Sequence, residues 1–394
     1  MPTMKTSCGS SPPHRVPRHA GPRLLACLAL ACFGVAPASV GATAPDQLLL
    51  RDYRPHSIYT LPQTRVEKAR YPVIDVHSHP YAKTEAEVDQ WVRTLDAVGL
   101  EKTVVMVGTT GKSFDAAAAR FKRHPDRFEL WCGIDFTGFD QPGYGPAALA
   151  ELERCQRAGA VGVGELSDKG GGLRGNAGGM HLDDPRMDPI LEKCAELGLP
   201  VNIHVGEDRW MYEPMDQTND GLMNAFQWKI PKTPGVLQHD EIIATLGRAV
   251  QKHPRTTFIA CHFANCCYDL GRLGAMLDQY PNLYADIGAR FGETAPIPRQ
   301  VARFYERYQD RLLYGTDMGT NPEMYRTTFR ILETEDEHFY DWNLFSYHWP
   351  LHGFGLKDSV LKKVYADNAR AVLREARRDL VGGARDAFVP LSSL

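Results

Sequence analysis

Between residues 73 and 317 short apolar runs alternate with amphipathic stretches. The runs fall at 73–77, 103–108, 128–135, 160–165, 200–205, 256–263, 283–288 and 312–317. They are rich in Val, Ile and aromatic residues and too continuously apolar for strands with one wet face. Strands covered on both sides, as in parallel sheets, read this way. Between them apolar positions recur at helical spacing over 85–98, 113–123, 146–158, 185–197, 240–252, 269–279 and 295–309, and a last helix is predicted around 359–375. Gly99 and Gly198 mark helix ends, and Pro146 and Pro185 mark helix starts. His124-Pro125 and His253-Pro254 each sit between a helix and a strand, so both histidines read as helix-end residues. Eight strand–helix units in roughly 300 residues are the arithmetic of a (β/α)₈ TIM barrel. A doubly wound open sheet is the alternative that the same alternation allows.

Two connections break the rhythm. Residues 206–239 follow the fifth strand and 318–358 the eighth, and both carry many aromatic residues. Connections this long in a compact domain serve as lids or binding loops, or their aromatics pack them onto the barrel. A glycine-rich insert at 170–179 follows the fourth strand and does not match a phosphate-binding loop.

The flanks are of another kind. Lys5, Arg15, Arg18 and Arg23 precede an apolar run from Leu24 to Ala36, no acid occurs before Asp46, and Ser39-Val40-Gly41-Ala42 supplies small residues. This predicts a secretory signal over 1–44, cut after Ala42 or Ala44, and an exported, periplasmic or secreted protein. A lipid anchor at Cys32 is the competing reading. An irregular lead (45–70) then precedes the barrel (71–378), and a tail (379–394) follows. The chain has 45 basic and 48 acidic residues; without the four basic residues of the signal the balance is −7. With no basic stripe, nucleic acid is excluded as the expected partner, and no later apolar run is long enough to span a membrane. Of nine cysteines, six lie beyond the signal, mostly single, with no C-x-x-C knuckle; at most one optional bridge is expected.

The chemistry is carried by the ends of the runs. His77 and His79 close the first, and side chains two apart on a strand share a face, so their imidazoles converge. Glu165, His204, His262 and Asp317 close the fourth, fifth, sixth and eighth. In a TIM barrel these ends form one rim, where active sites sit. Neutral imidazoles and carboxylates suit a divalent metal, Zn first, with Mn or Fe as alternatives. Arg290, after the seventh run, would clamp a substrate carboxylate or pair with Asp286 or a loop acid. Trp210, Tyr212 and His181 are rim candidates for binding substrate.

Asp75-Val-His-Ser-His79, Gly315-Thr-Asp317 and Tyr365-Ala-Asp-Asn-Ala369 resemble the amidohydrolase superfamily, and within it the amidohydrolase-related branch, over about 72–375. The resemblance implies a metal-dependent hydrolase in which His77, His79 and Asp317 hold one ion and His204 and His262 a second. Glu165 stands where many two-metal members carry a carboxylated lysine, so it would bridge the ions. In one-metal members the strand 1 pair, the strand 5 histidine and the strand 8 aspartate are the ligands, leaving His262 for acid–base work. Asp317 is the expected general base, acting on an amide, ester, lactone or related bond of a small molecule. Close relatives are non-oxidative decarboxylases, which makes a carboxy-lyase acting on a small, possibly aromatic, carboxylic acid the alternative. A non-catalytic solute-binding barrel is the third reading, and the intact ligand set speaks against it.

Overall fold

A computed structural model describes residues 44–173, 178–342 and 347–373. The predicted signal up to residue 43, Cys32 and the C-terminal tail lie outside the described residues, as do 174–177 and 343–346. The chain divides near Leu48 into two units. Of the first only 44–48 are described, with a single turn at Pro45–Gln47. The second, from Leu49 onward, holds the barrel.

Eight parallel strands hydrogen-bond in chain order: β1 (Val73–Ser78), β2 (Leu100–Met106), β3 (Phe128–Cys132), β4 (Ala160–Asp168), β5 (Val201–Val205), β6 (Phe258–Ala260), β7 (Leu283–Asp286) and β8 (Leu312–Leu313). The ring closes because the Val76 N–H donates to the Tyr314 carbonyl at 2.9 Å and the Asp317 N–H to the His77 carbonyl at 2.8 Å. The fold is the expected TIM barrel. Its helices are α1 (Glu85–Val98), α2 (Gly111–Phe121), α3 (Pro146–Arg157), α4 (Asp188–Glu196), α5 (Leu222–Trp228), α6 (His239–Lys252), α7 (Leu270–Gln279), α8 (Phe291–Thr294), α9 (Pro298–Tyr308), α10 (Pro322–Glu333) and α11 (Asp358–Lys362). Local chemistry sets their ends. Thr84 and Glu87 form a reciprocal capping box at the start of α1, and Gly99 ends it at φ 87°, where a glycine meets no steric cost.

Three expectations need correction. The helix expected over 295–309 starts later, as α9 from Pro298, and a separate single turn, α8, precedes it. Neither long connection is simply a loop. The first contains α5, and the second contains α10, which buries Met324, Tyr325, Phe329, Ile331 and Leu332. The Asn321 side chain caps α10 by accepting from the Glu323 N–H, ahead of Pro322 in the first turn. The six described cysteines are all buried and unbridged.

Ile74 and Val76 of β1 cluster with Val104, Met106, Trp131, Ile259 and Leu313 from the other strands, and the C-terminal helical segment adds Ala366, Ala369, Val372 and Leu373. Strict alternation from Ile74 and Val76 would turn His77 away from this interior. The register against β2 shifts between Asp75 and Ser78, and the register of β4 against β5 shifts between Val163 and Leu166. An extra residue in a strand re-aims the side chains after it. Both irregularities immediately precede or contain a candidate ligand, His77 or Glu165.

Candidate metal centre

The rim residues are held by backbone features that only particular side chains allow. A Cβ on Gly164, just before Glu165, would lie 2.9 Å from the Asn202 Cβ and 3.0 Å from the Met106 sulfur. One on Gly315 would lie 2.7 Å from the Cβ of His77. Residues His262 to Asn265 all have left-handed φ between 51° and 61°, and Asp317 has φ 54°. Such non-glycine positions cost of order 1–3 kcal/mol each and persist where the surroundings over-determine them. Here Asn265 is the anchor. Its amide donates to the Val205 carbonyl at 3.0 Å, its own carbonyl meets His239 Nε2 at 2.9 Å, and its Oδ1 accepts from Arg290.

Each of the four histidines turns one ring nitrogen outward. His77 Nδ1 meets Asp286 Oδ2 at 2.9 Å, His79 Nδ1 the Met106 carbonyl at 3.3 Å, His204 Nε2 the Gly206 carbonyl at 2.8 Å, and His262 Nδ1 the Gly288 carbonyl at 2.8 Å. A carbonyl only accepts, so those nitrogens carry the proton and the opposite ones present lone pairs. The lone-pair nitrogens face two carboxylates. Asp317 Oδ1 is 3.0 Å from His79 Nε2 and 3.7 Å from His77 Nε2, and its Oδ2 is 3.8 Å from His262 Nε2. Glu165 Oε1 is 2.9 Å from His204 Nδ1 and 3.4 Å from His262 Nε2, and its Oε2 is 3.6 Å from His79 Nε2. His77 Nε2 is wholly buried without a hydrogen-bond partner.

Inward lone pairs facing carboxylates repel unless a cation or protons stand between them. Four imidazole nitrogens and two carboxylates fit a divalent ion. Lacking one, the groups draw in protons. Burial pushes the His77 imidazolium down, but Asp286, Asp317 and Glu165 outweigh it and raise His77 to about 10. His204 rises to about 9, where burial is outweighed by Glu165 and Glu207. Burial opposes ionisation of Glu165 and Asp317, yet the facing histidines hold both well below the usual carboxylate range. Burial drives His262 down.

The six predicted ligands thus meet at one rim, where two clefts of about 440 and 370 Å³ adjoin. His79 and Glu165 line the first, and His204, His262 and Asp317 the second. Arg290 lines the second cleft but pairs with Glu207, Asp208 and Glu293 at 3.0–3.6 Å rather than with Asp286. Tyr212 and Trp210 are not among the residues lining either cleft. Tyr212 is buried, its hydroxyl accepting from the Glu207 N–H, and the Trp210 ring packs at a tilt against Trp349, 5.6 Å between centroids. His181 bonds to Asp168 at 2.7 Å.

Other residues join the centre that sequence reasoning misses. Asp286 closes β7 as the ligands close their strands, and that parallel is the available signal. Tyr81 donates to Asp317 Oδ1 at 3.4 Å, and Glu207 stands 3.6 Å from His204 Nε2. Neither has a spacing that marks it.

Fold and site define a TIM-barrel enzyme with a candidate metal centre at its rim. The chain belongs to the amidohydrolase family, whose model matches residues 67–374. A structure of an uncharacterized TIM-barrel protein from Bordetella bronchiseptica is similar at 18% identity and TM-score 0.51, covering 78% of this chain and 100% of that one. A candidate amidohydrolase from Staphylococcus aureus is similar at 16% identity and TM-score 0.51, covering 77% and 99%. At these identities the likeness shows the fold. A 67-residue stretch is 39% identical to 2-amino-3-carboxymuconate-6-semialdehyde decarboxylase of Dictyostelium discoideum; it covers 16% of this chain and 17% of that relative.

Proposed function

We propose that this chain is an exported hydrolase that uses a divalent metal, zinc first, to open an amide, ester, lactone or related bond of a small molecule. The observation that carries the reading is the meeting of two carboxylates with four histidines at one rim: His77 faces Asp317, His204 faces Glu165, and His79 and His262 face both. His77, His79 and Asp317 would hold one ion, and Glu165, His204 and His262 would hold a second. A bound divalent ion would supply Lewis acidity and bring the pKa of a water from 15.7 toward about 7.

The chain's own groups then divide the work. Asp317 takes the proton of the attacking water on a carboxylate oxygen and returns it to the leaving group. Tyr81, donating to Asp317 Oδ1, favours the ionised form of that carboxylate. The substrate lies in the adjoining clefts, where Trp228, Tyr347 and Met318 offer apolar surface.

A second reading, decarboxylation of a small carboxylic acid, is favoured by the stretch shared with the Dictyostelium decarboxylase. Against it, the guanidinium of Arg290 is already surrounded by three carboxylates. Metal analysis of purified protein, with a screen of lactones, N-acyl compounds and aromatic carboxylates, separates the two. Hydrolysis with two ions per chain is the expected result. Carbon dioxide release with one ion per chain would replace it with the lyase.

A further inference from the structure

Cys261 stands between β6 and the left-handed turn that carries His262. Ile259 two residues before it belongs to the interior cluster, so alternation turns the Cys261 side chain inward as well. Its sulfur lies 3.5 Å from Glu165 Oε1, the same oxygen that meets His204 Nδ1 at 2.9 Å and His262 Nε2 at 3.4 Å. One ligand atom from each of Glu165, His204, Cys261 and His262 lies within 4.8 Å of all the others.

We infer that Cys261 supplies a thiolate ligand to an ion held by Glu165, His204 and His262. The inference rests on the proposed metal centre and adds to it a sulfur donor. In a tetrahedral site with metal–nitrogen bonds of about 2.0–2.1 Å and a metal–sulfur bond of about 2.3 Å, neighbouring ligand atoms stand roughly 3.3–3.6 Å apart. The separations of Glu165 Oε1 from the Cys261 sulfur and from His262 Nε2 are of that size. The 2.9 Å contact with His204 is a hydrogen-bond length, which opens when an ion takes the place of the proton. His204 and His262 both have their outward nitrogens tied to carbonyls, so their inward lone pairs are committed to this side.

Cys261 also lies within the same reach of His77 and Asp286, but the Asp286 carboxylate is already taken up by His77, the Asn202 amide and the backbone N–H groups of His262 and Gly288. That leaves the Glu165 side as the one where the sulfur completes a set. The other described cysteines, Cys132, Cys155, Cys194, Cys266 and Cys267, fall in none of the described ligand groups. As the metal–sulfur bond forms, the thiol proton leaves to solvent and no electron is transferred.

The consequence is an asymmetric centre. The position at His77, His79 and Asp317 offers only nitrogen and oxygen, whereas the position at Glu165 offers sulfur too and favours a softer ion. X-ray absorption at the zinc edge, on the full chain reconstituted with zinc alone, tests it. The expected spectrum has a sulfur shell at about 2.3 Å that is missing from Cys261→Ser. The wild-type spectrum is decisive even if the variant folds poorly. Fully loaded wild-type protein with only nitrogen and oxygen neighbours overturns the thiolate and leaves the metal centre standing. A sulfur shell that survives in Cys261→Ser overturns the assignment to this residue. A chain that takes up no zinc overturns both the thiolate and the proposed centre.

Discussion

His77 Nδ1 stands 2.9 Å from Asp286 Oδ2, with both side chains wholly buried. This contact fixes which nitrogen of His77 faces the centre. The same carboxylate accepts from the Asn202 amide at 3.0 Å and from the backbone N–H groups of His262 and Gly288 at 3.2 and 3.0 Å. Four donors converge on two oxygens, so in Asp286→Asn the new amide nitrogen faces donors however it turns. Metal affinity is expected to fall about 10–100-fold, as for other partners of metal-bound histidines. The unmet donors should cost about 1–3 kcal/mol of stability. Chelator competition and thermal melting measure the two effects. Unchanged affinity would mean that barrel packing orients His77 without Asp286.

Asp317→Asn keeps the shape of the side chain but cannot accept a proton near neutral pH. If Asp317 is the general base, turnover falls by about 10²–10⁴-fold, with a much smaller change in substrate affinity because most of the cleft wall comes from other residues. Metal content must be measured on the same preparation. A fully loaded variant with near-normal turnover would move the proton transfer to His262.

The metal-free protein should respond to pH in a way the loaded one does not. An imidazole in an unfolded chain titrates near about 6.5, while folded His77 and His204 are raised to about 10 and about 9. The folded chain therefore keeps protons that the unfolded chain has released. Their contribution to stability is complete below about 6.5 and is lost as pH climbs through 9 to 10. Glu165 and Asp317 are shifted down, so their contribution is present above about 4 and is lost in acid. Melting temperatures of metal-free protein should thus peak at mildly acidic pH and drop on the alkaline side. With metal in place of the protons, the alkaline drop should shrink. Identical alkaline profiles with and without metal would contradict this.

Arg290 is 7% exposed and faces Glu207, Asp208 and Glu293, which are equally buried. Arg290→Met keeps much of the volume and removes the only guanidinium paired with Asp208 and Glu293 among the described ion pairs. Breaking a buried pair in this way costs about 3–5 kcal/mol. Burial already raises the carboxyl groups of Asp208 and Glu293, the latter to about 7. Acid then neutralises them, so the deficit in the variant should be smaller at about pH 5 than at about pH 8. Denaturant titrations at the two pH values provide the check. A variant as stable as wild type would mark Arg290 as a residue kept for substrate rather than for structure.

The barrel is legible in the sequence because parallel strands buried on both faces read as short continuous apolar runs. The candidate ligands are legible because each closes such a run. Alternation alone fails at His77, since Ile74 and Val76 face the interior and only the register shift after Asp75 brings His77 round. A bulge leaves no mark in a strand as short as β1. Cys261 reads as one more single cysteine in an apolar run, and its closeness to Glu165 depends on two strands whose approach no local spacing reveals. Helix α10 has a start signal in Asn321-Pro322, yet the aromatic residues after it draw the whole segment into a loop. For Arg290 the sequence offers an ion pair with Asp286 or a loop acid without choosing, because its three acidic partners come from two different connections.

The segment before Ala44 should be missing from the mature protein. Lys5, Arg15, Arg18 and Arg23 lead into an apolar run from Leu24 to Ala36, which is too short to cross a bilayer as a permanent helix and is followed by small residues. The first barrel strand begins only at Val73 and closes on residues 314–317. Intact-mass analysis of protein recovered from the culture medium or periplasm should therefore give a chain beginning at Thr43 or Pro45. A chain beginning at Cys32 with an added lipid would replace secretion with membrane anchoring, and full-length protein retained in the cytoplasm would refute export. Deleting residues 1–44 should redirect the protein to the cytoplasm with its melting temperature unchanged to within a degree or so. A large loss of stability on deletion would show that the segment is part of the folded structure.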